Sequence, residues 1–185
     1  LRQLVLNSLW YGIIRTDFIQ DISMSSSSPI DPAALWRARV EMLGQERWSF
    51  ALTLAYNDWP ISRDRMRRDL RALHCIVDRN LFGTRFHRLP ASERTRFVAF
   101  VEGEDHHPHL HAGWRVPGGR RLMDFVRLWK VDHIWSRIAP RGSFEIRIPE
   151  PGRGWWSYCT KHTTADSEWI SSDEFLPADA FAAPS

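Results

Sequence analysis

Two apolar runs joined by a short polar loop most constrain what this chain can fold into. They are RFVAFVEG, residues 96–103, and HLHAGWRV, residues 109–116, with residues 104–108 between them. Both runs read as strands, and so short a connection makes them a hairpin. On a strand, side chains two apart share a face. His109 and His111 therefore project together, and Leu110 turns the other way. Glu102 closes the partner strand, where the hairpin brings its carboxylate beside the imidazoles. Two nitrogens and one oxygen suit a divalent ion with open positions, Mn²⁺ or Mg²⁺ before zinc. His-x-His also arises by chance on surface strands, so a plain polar surface stays open as the alternative. His106 and His107 fall in the turn and read as solvated loop residues.

The flanking sequence supplies the layer such a hairpin needs. FALTLAYN, residues 50–57, reads as a strand with Phe50, Leu52 and Leu54 on one side. Residues 62–83 read as a helix, with Ser62 as N-cap and Gly83 as the stop. Met66, Leu70, Leu73, Val77 and Leu81 form its apolar stripe. Arg63, Arg67, Arg68 and Arg71 lie away from that stripe, as a solvated face or a phosphate-binding one. Residues 121–138 read as one helix with Leu122, Phe125, Val126, Trp129 and His133 along one side, His133 at the edge of the core. SFEIRI, residues 143–148, is a further strand, and GWWSYCTKHT opens a short helix at Gly154. The order strand, helix, strand, strand, helix, strand, helix predicts an α+β fold, an antiparallel sheet with flanking helices in a two-layer sandwich.

Composition narrows the class. At 185 residues the chain is one domain plus tails. No apolar run reaches the roughly 18 residues of a membrane span, so no membrane partner is expected. Two cysteines, Cys75 and Cys159, imply no disulfide framework, cannot make a four-thiolate zinc site, and suit a reducing cytosol. Charge is uneven. Residues 165–185 carry five acids and no Lys or Arg, leaving 25 basic against 17 acidic residues, +8, in residues 1–164. A basic body suits a polyanionic partner, although a solvated surface explains it too. SSSSPIDP after Met24 reads as a linker. Either Met24 is the natural start, or LVLNSLWYGII upstream is a docking helix; it makes a poor signal peptide. The expected division is residues 1–45 as N-terminal extension and linker, 46–164 as the folded domain, and 165–185 as an acidic tail.

WSYCTKH places Tyr158 and Lys161 three apart, neighbours on one helix face. A lysine beside a tyrosine lowers the cost of phenolate. Bringing a free phenol, pKa near 10, to reactivity at pH 7 takes roughly 4 kcal/mol. Taken singly, the pair also fits a plain surface helix.

In sequence order, FALTLAYN, then PHLHAGW with its upstream glutamate, then YCTK resemble the motifs of the HUH endonuclease family. The likeness is to its rolling-circle replication initiators with a single tyrosine, and it covers roughly residues 46–164. It implies that His109, His111 and Glu102 hold the metal, with Glu104 in reserve. It implies that Tyr158 is the nucleophile and Lys161 its partner. Relaxases carry their tyrosine before the histidines, whereas here it follows them. Single-strand transposases share that order but have glutamine where Lys161 stands. The implied reaction is transesterification: Tyr158 attacks phosphorus, stays joined to the 5′ phosphate and releases a 3′ hydroxyl. The implied substrate is single-stranded or hairpin DNA at a replication origin, held by arginines and stacked on tryptophans such as Trp114, Trp155 or Trp156. No G-x-x-x-x-G-K-[ST] is present, so a host helicase would unwind the duplex, or the chain is a fragment. The setting implied is the cytoplasm for a bacterial plasmid or phage, the host nucleus for a virus. The competing readings are a single-strand transposase, a DNA-binding regulator without catalysis, and a hydrolase that uses water and leaves no protein on the DNA.

Overall fold

In FALTLA, large apolar residues alternate with small ones, which suits a strand with one face in a core and the other nearly bare. A computed structural model of the chain describes residues 31–103, 106–127, 131–149, 154–160 and 169–175. Strand β1 (Phe50–Ala55) lies between β3 (His109–Arg115) and β4 (Ser143–Arg147), antiparallel to both. On its other side β3 pairs with β2 (Arg96–Glu102), and β2 pairs with β5 (Trp169–Ser171). The sheet order is β4-β1-β3-β2-β5. Since β1 and β2 both run opposite to β3, they are parallel to each other with β3 inserted between them. The connection from β1 to β2 is helix α2 (Arg63–Phe82), giving a split βαβ unit. The α+β sandwich expected from the sequence is the fold observed. The strand that carries the two histidines is its centre.

Pleating sorts the sheet into two unlike faces. Phe50, Leu52, Leu54, Phe97, Ala99, Leu110, Ala112 and Trp114 point to one face and are buried there. Helix α2 covers them with Met66, Leu70, Leu73 and Val77, three of which are wholly inaccessible. Each such side chain contributes about 1.5–3 kcal/mol through burial. Ser62 caps α2 by accepting the Arg65 amide at 3.3 Å, and Gly83 ends it at φ +81°, where a Cβ would be strained. Helices α3 (Arg120–Arg127) and α4 (Val131–Ile138) complete this layer through Phe125 and Trp135. Helix is thus observed over Arg120–Arg127 and Val131–Ile138, within the span expected to be helical, and residues 128–130 lie outside the described residues. Phe125 is buried as expected, but Val126 is 39% exposed and His133 is exposed as well. In α4 it is Trp135, with Ile134 and Ile138, that faces the core, so the stripe does not continue to His133. Trp129 lies outside the described residues.

A buried polar knot joins α2 to β2. Asp78 is fully buried and accepts from Arg94 Nε at 2.8 Å, Thr95 N at 3.2 Å and Thr95 Oγ1 at 2.6 Å. His74, one turn earlier, donates Nε2–H to the Thr95 carbonyl at 2.9 Å.

Among the described residues, two helices cover part of the other face. Helix α1 (Pro32–Gln45) and helix α5 (Gly154–Cys159) lie against it. Val40 and Leu43 of α1 and Trp156 and Cys159 of α5 pack with Val98 and Phe100 of β2. Asp31 caps α1 by accepting the Ala33 amide. Two segments read from the sequence as linker and tail thus supply an ordered helix and a sheet strand. Asp173 and Glu174 of that acidic segment pair with Arg96 at 2.9 Å and Arg67 at 3.8 Å. No helix among the described residues is long and apolar enough to cross a membrane.

Candidate metal centre

Strand register brings the three predicted ligands together. Glu102 sits directly opposite His109 in the β2–β3 pair, and His111 follows two residues on, on the same face. Gly103 makes the turn possible. Its φ is +66°, and a Cβ there would lie 2.5 Å from the His107 carbonyl oxygen. The Gly103 carbonyl in turn accepts the amides of His106 and His107 at 3.1 and 2.9 Å. That folded loop returns the chain to His109 at the correct height.

Glu102, His109 and His111 form a cluster able to hold a metal ion, with one donor atom from each and all three within 4.8 Å of one another. Glu102 Oε2 lies 3.2 Å from Nε2 of both imidazoles. The His109 Nδ1 is 2.7 Å from the His107 carbonyl oxygen, which only accepts, so Nδ1 carries the hydrogen. In neutral His109 the Nε2 lone pair therefore points at a carboxylate oxygen. Two acceptors 3.2 Å apart repel unless a cation, proton or metal, sits between them. Glu102 Oε1 adds to this demand, being buried with no hydrogen-bond donor among the described residues. A buried carboxylate in that condition costs several kcal/mol without a compensating charge. The N,N,O donor set suits a divalent ion, and the residues present fit one.

The second imidazole is held differently. His111 Nδ1 is 3.1 Å from Thr53 Oγ1 on the neighbouring strand, its register partner across the sheet. Both rings are thus gripped through Nδ1 and present Nε2 to the carboxylate, the arrangement typical of metal-ligating histidines.

Helix α5 comes to the centre because Gly113 has no side chain. A Cβ there would lie 2.2 Å from Trp156 and 2.9 Å from Trp48. The bare backbone lets Trp156 lie against the sheet, edge-on to Trp48 at 5.1 Å between centroids. With Trp156 and Cys159 buried, the helix turns Tyr158 toward the histidines. Its ring centroid is 5.2 Å from that of His111, and it stacks on Trp155 at 5.8 Å. Tyr158 is 47% exposed. Tyr56, by contrast, is buried on the helix-covered face against Trp135. Burial, with Asp69 adding to it, holds its phenol far above the ordinary tyrosine range. Comparison with family models, with curated proteins and with solved structures finds no match to this chain.

Several expected participants are placed elsewhere. Lys161 and Glu104 lie outside the described residues. His106 and His107 are exposed in the turn, as the sequence suggests, and His107 contributes only its carbonyl. Arg63, Arg67, Arg68 and Arg71 are not brought to the cluster. Helix α2 packs on the opposite face of the sheet, because its apolar stripe matches the Leu52/Leu110 side and not the histidine side. Trp114 and Trp156 are buried core residues, which leaves Trp155 as the half-buried tryptophan at the site. Thr53 and Gly113 were not singled out. A polar residue between Ala51 and Ala55, and a glycine two after the second histidine, were the signals available.

Proposed function

We propose that this chain is a metal-dependent single-strand DNA endonuclease of the HUH type, joining DNA to itself through Tyr158. The reading is supported by one observation above all: Tyr158 stands beside His111 of a Glu-His-His cluster, on the sheet face away from Tyr56. Glu102, His109 and His111 would hold Mn²⁺ or Mg²⁺. When bound, such an ion supplies Lewis acidity to a phosphate oxygen. The chain's own part is to orient the nucleophile. Trp155 and His111 fix the phenol ring, and its exposed side admits a phosphodiester. Tyr158 Oη forms the new bond to phosphorus as the bond to the 3′ oxygen breaks. The phenol proton passes to solvent base, and the leaving 3′ oxygen gains one. The energy of the cleaved bond stays in the phosphotyrosine, so attack by a 3′ hydroxyl reseals the strand. That reversibility suits initiation of rolling-circle replication at single-stranded or hairpin DNA.

The test is an adduct gel. The full chain is incubated with Mn²⁺ and a pool of 3′-labelled single-stranded oligonucleotides, then denatured. Wild type and Tyr56→Phe should carry label on the protein, and Tyr158→Phe should carry none. A full-strength adduct in Tyr158→Phe would sink the assignment. Nicking without any adduct would instead favour hydrolysis by water.

A further inference from the structure

We propose that Thr53 is a positioning residue of this centre, holding His111 in place whichever ring nitrogen carries the hydrogen. The inference rests on the metal reading above. It starts from an asymmetry between the two imidazoles. His109 Nδ1 faces a carbonyl oxygen, which accepts and never donates. Its ring is therefore fixed in the form whose Nε2 is ready for a metal. His111 Nδ1 faces a hydroxyl at 3.1 Å, which both donates and accepts. With Nδ1–H, the hydroxyl accepts and Nε2 offers a lone pair to an ion. With Nε2–H, the hydroxyl donates to Nδ1, and Nε2–H faces Glu102 Oε2 at 3.2 Å. The ring keeps its position in both cases.

On the strands beside His111, Thr53 is the residue that brings a hydroxyl to the ring. His111 is buried on the central strand, with Phe100 as its register partner in β2 and Thr53 in β1. Along β1, the residues sharing Thr53's face are Ala51 and Ala55, which have no polar atoms in their side chains. Phe100 offers none from the other side. A valine would fill the same space with an equal preference for strand, so packing alone gives no reason for a hydroxyl. Groups that hold ligating histidines typically change metal affinity by about 10–100-fold when removed.

The experiment is calorimetric titration of Mn²⁺ into the full chain, stripped of metal beforehand, with thermal melting as the check on folding. Thr53→Val should weaken binding by about 10-fold or more, the lower end of that range. Thr53→Ala, which copies the flanking Ala51 and Ala55, should do the same and serves if the valine protein does not fold. Thr53→Ser, which keeps the hydroxyl, should stay close to wild type. Wild-type affinity in both Thr53→Val and Thr53→Ala overturns the assignment and leaves the metal reading intact. Loss in Thr53→Ser equal to that in Thr53→Val also overturns it, because the methyl rather than the hydroxyl would then matter. No Mn²⁺ binding by the wild-type protein overturns both.

Discussion

Asp78 and Glu102 are both buried carboxylates beside histidine, yet they sit in opposite chemical conditions. Asp78 is closed: its two oxygens receive three hydrogen bonds, one from the permanent cation Arg94. His74 is tied to a carbonyl and adds an imidazole 3.4 Å away. Glu102 is open. One oxygen faces two imidazole nitrogens and the other accepts nothing from the described residues. The first arrangement fastens a helix to a strand, and the second reserves a place for a cation. A count of buried acids would rank them equal, whereas their donors separate them.

The sharpest way to break this contrast is to remove each carboxylate in turn. Asp78→Ala strands the buried Arg94 and should cost about 3–5 kcal/mol of stability, read as a drop in denaturant midpoint. Glu102→Gln removes an uncompensated buried charge, so it should hold or raise stability, and it should abolish Mn²⁺ binding in a calorimetric titration. If the two variants lost stability equally, the distinction between closed and open would be wrong. Next in size is the turn. Gly103→Ala must place a Cβ against the His107 carbonyl at positive φ, which costs roughly 1–3 kcal/mol and should also weaken metal binding. Gly113→Ala should separate two halves of the site. Its Cβ displaces Trp156, so the Tyr158 adduct should fall sharply while Mn²⁺ affinity is kept.

A smaller effect is expected from pH. Burial holds His74 below its ordinary value, despite the opposing pull of Asp78. Its neutral form is therefore the folded one, and the unfolded chain takes up the extra proton as pH drops. Stability should be full above about 6.5, the ordinary histidine value. It should decline below that at up to about 1.4 kcal/mol per pH unit for this one proton. In His74→Gln the slope attributable to this group should vanish, as measured by denaturation between pH 7 and pH 5. The least effect should come from charge reversal at Arg68 and Arg71. Across the sheet from the cluster, they should leave metal affinity and the salt slope of DNA binding as in wild type. A flatter slope would bring α2 into the footprint.

Much of the fold was legible because local chemistry and burial agree. Ser62, the Met66–Val77 stripe and Gly83 mark one helix completely, and the hairpin's alternation fixes which face His109 and His111 share. What could not be read depends on contacts distant in sequence. That α2 covers the face opposite the histidines follows from matching its stripe to strands both before and after it in the chain, and no local pattern in RDRMRRDL shows it. Likewise, His74 and Asp78 look like ordinary helix residues until Arg94 and Thr95 arrive from just ahead of β2. The strand at Trp169–Ser171 was hidden among acids because it is only three residues long and borrows its partners from β2. Gly113 announces its role only once Trp156, 43 positions later, is seen lying on it.

That short strand has a practical bearing on anyone who trims the protein. Cutting after residue 164 keeps every motif, yet it takes away the neighbour of Val98, Ala99 and Phe100 in β2. Their amides and carbonyls would then form a bare edge, flanked by the apolar side chains that Trp169 and Ile170 help to cover. An unpaired hydrophobic edge is a template for a second chain, and proteins that expose one tend to stack and precipitate. The shorter polypeptide should aggregate more readily than the full chain, as light scattering would show.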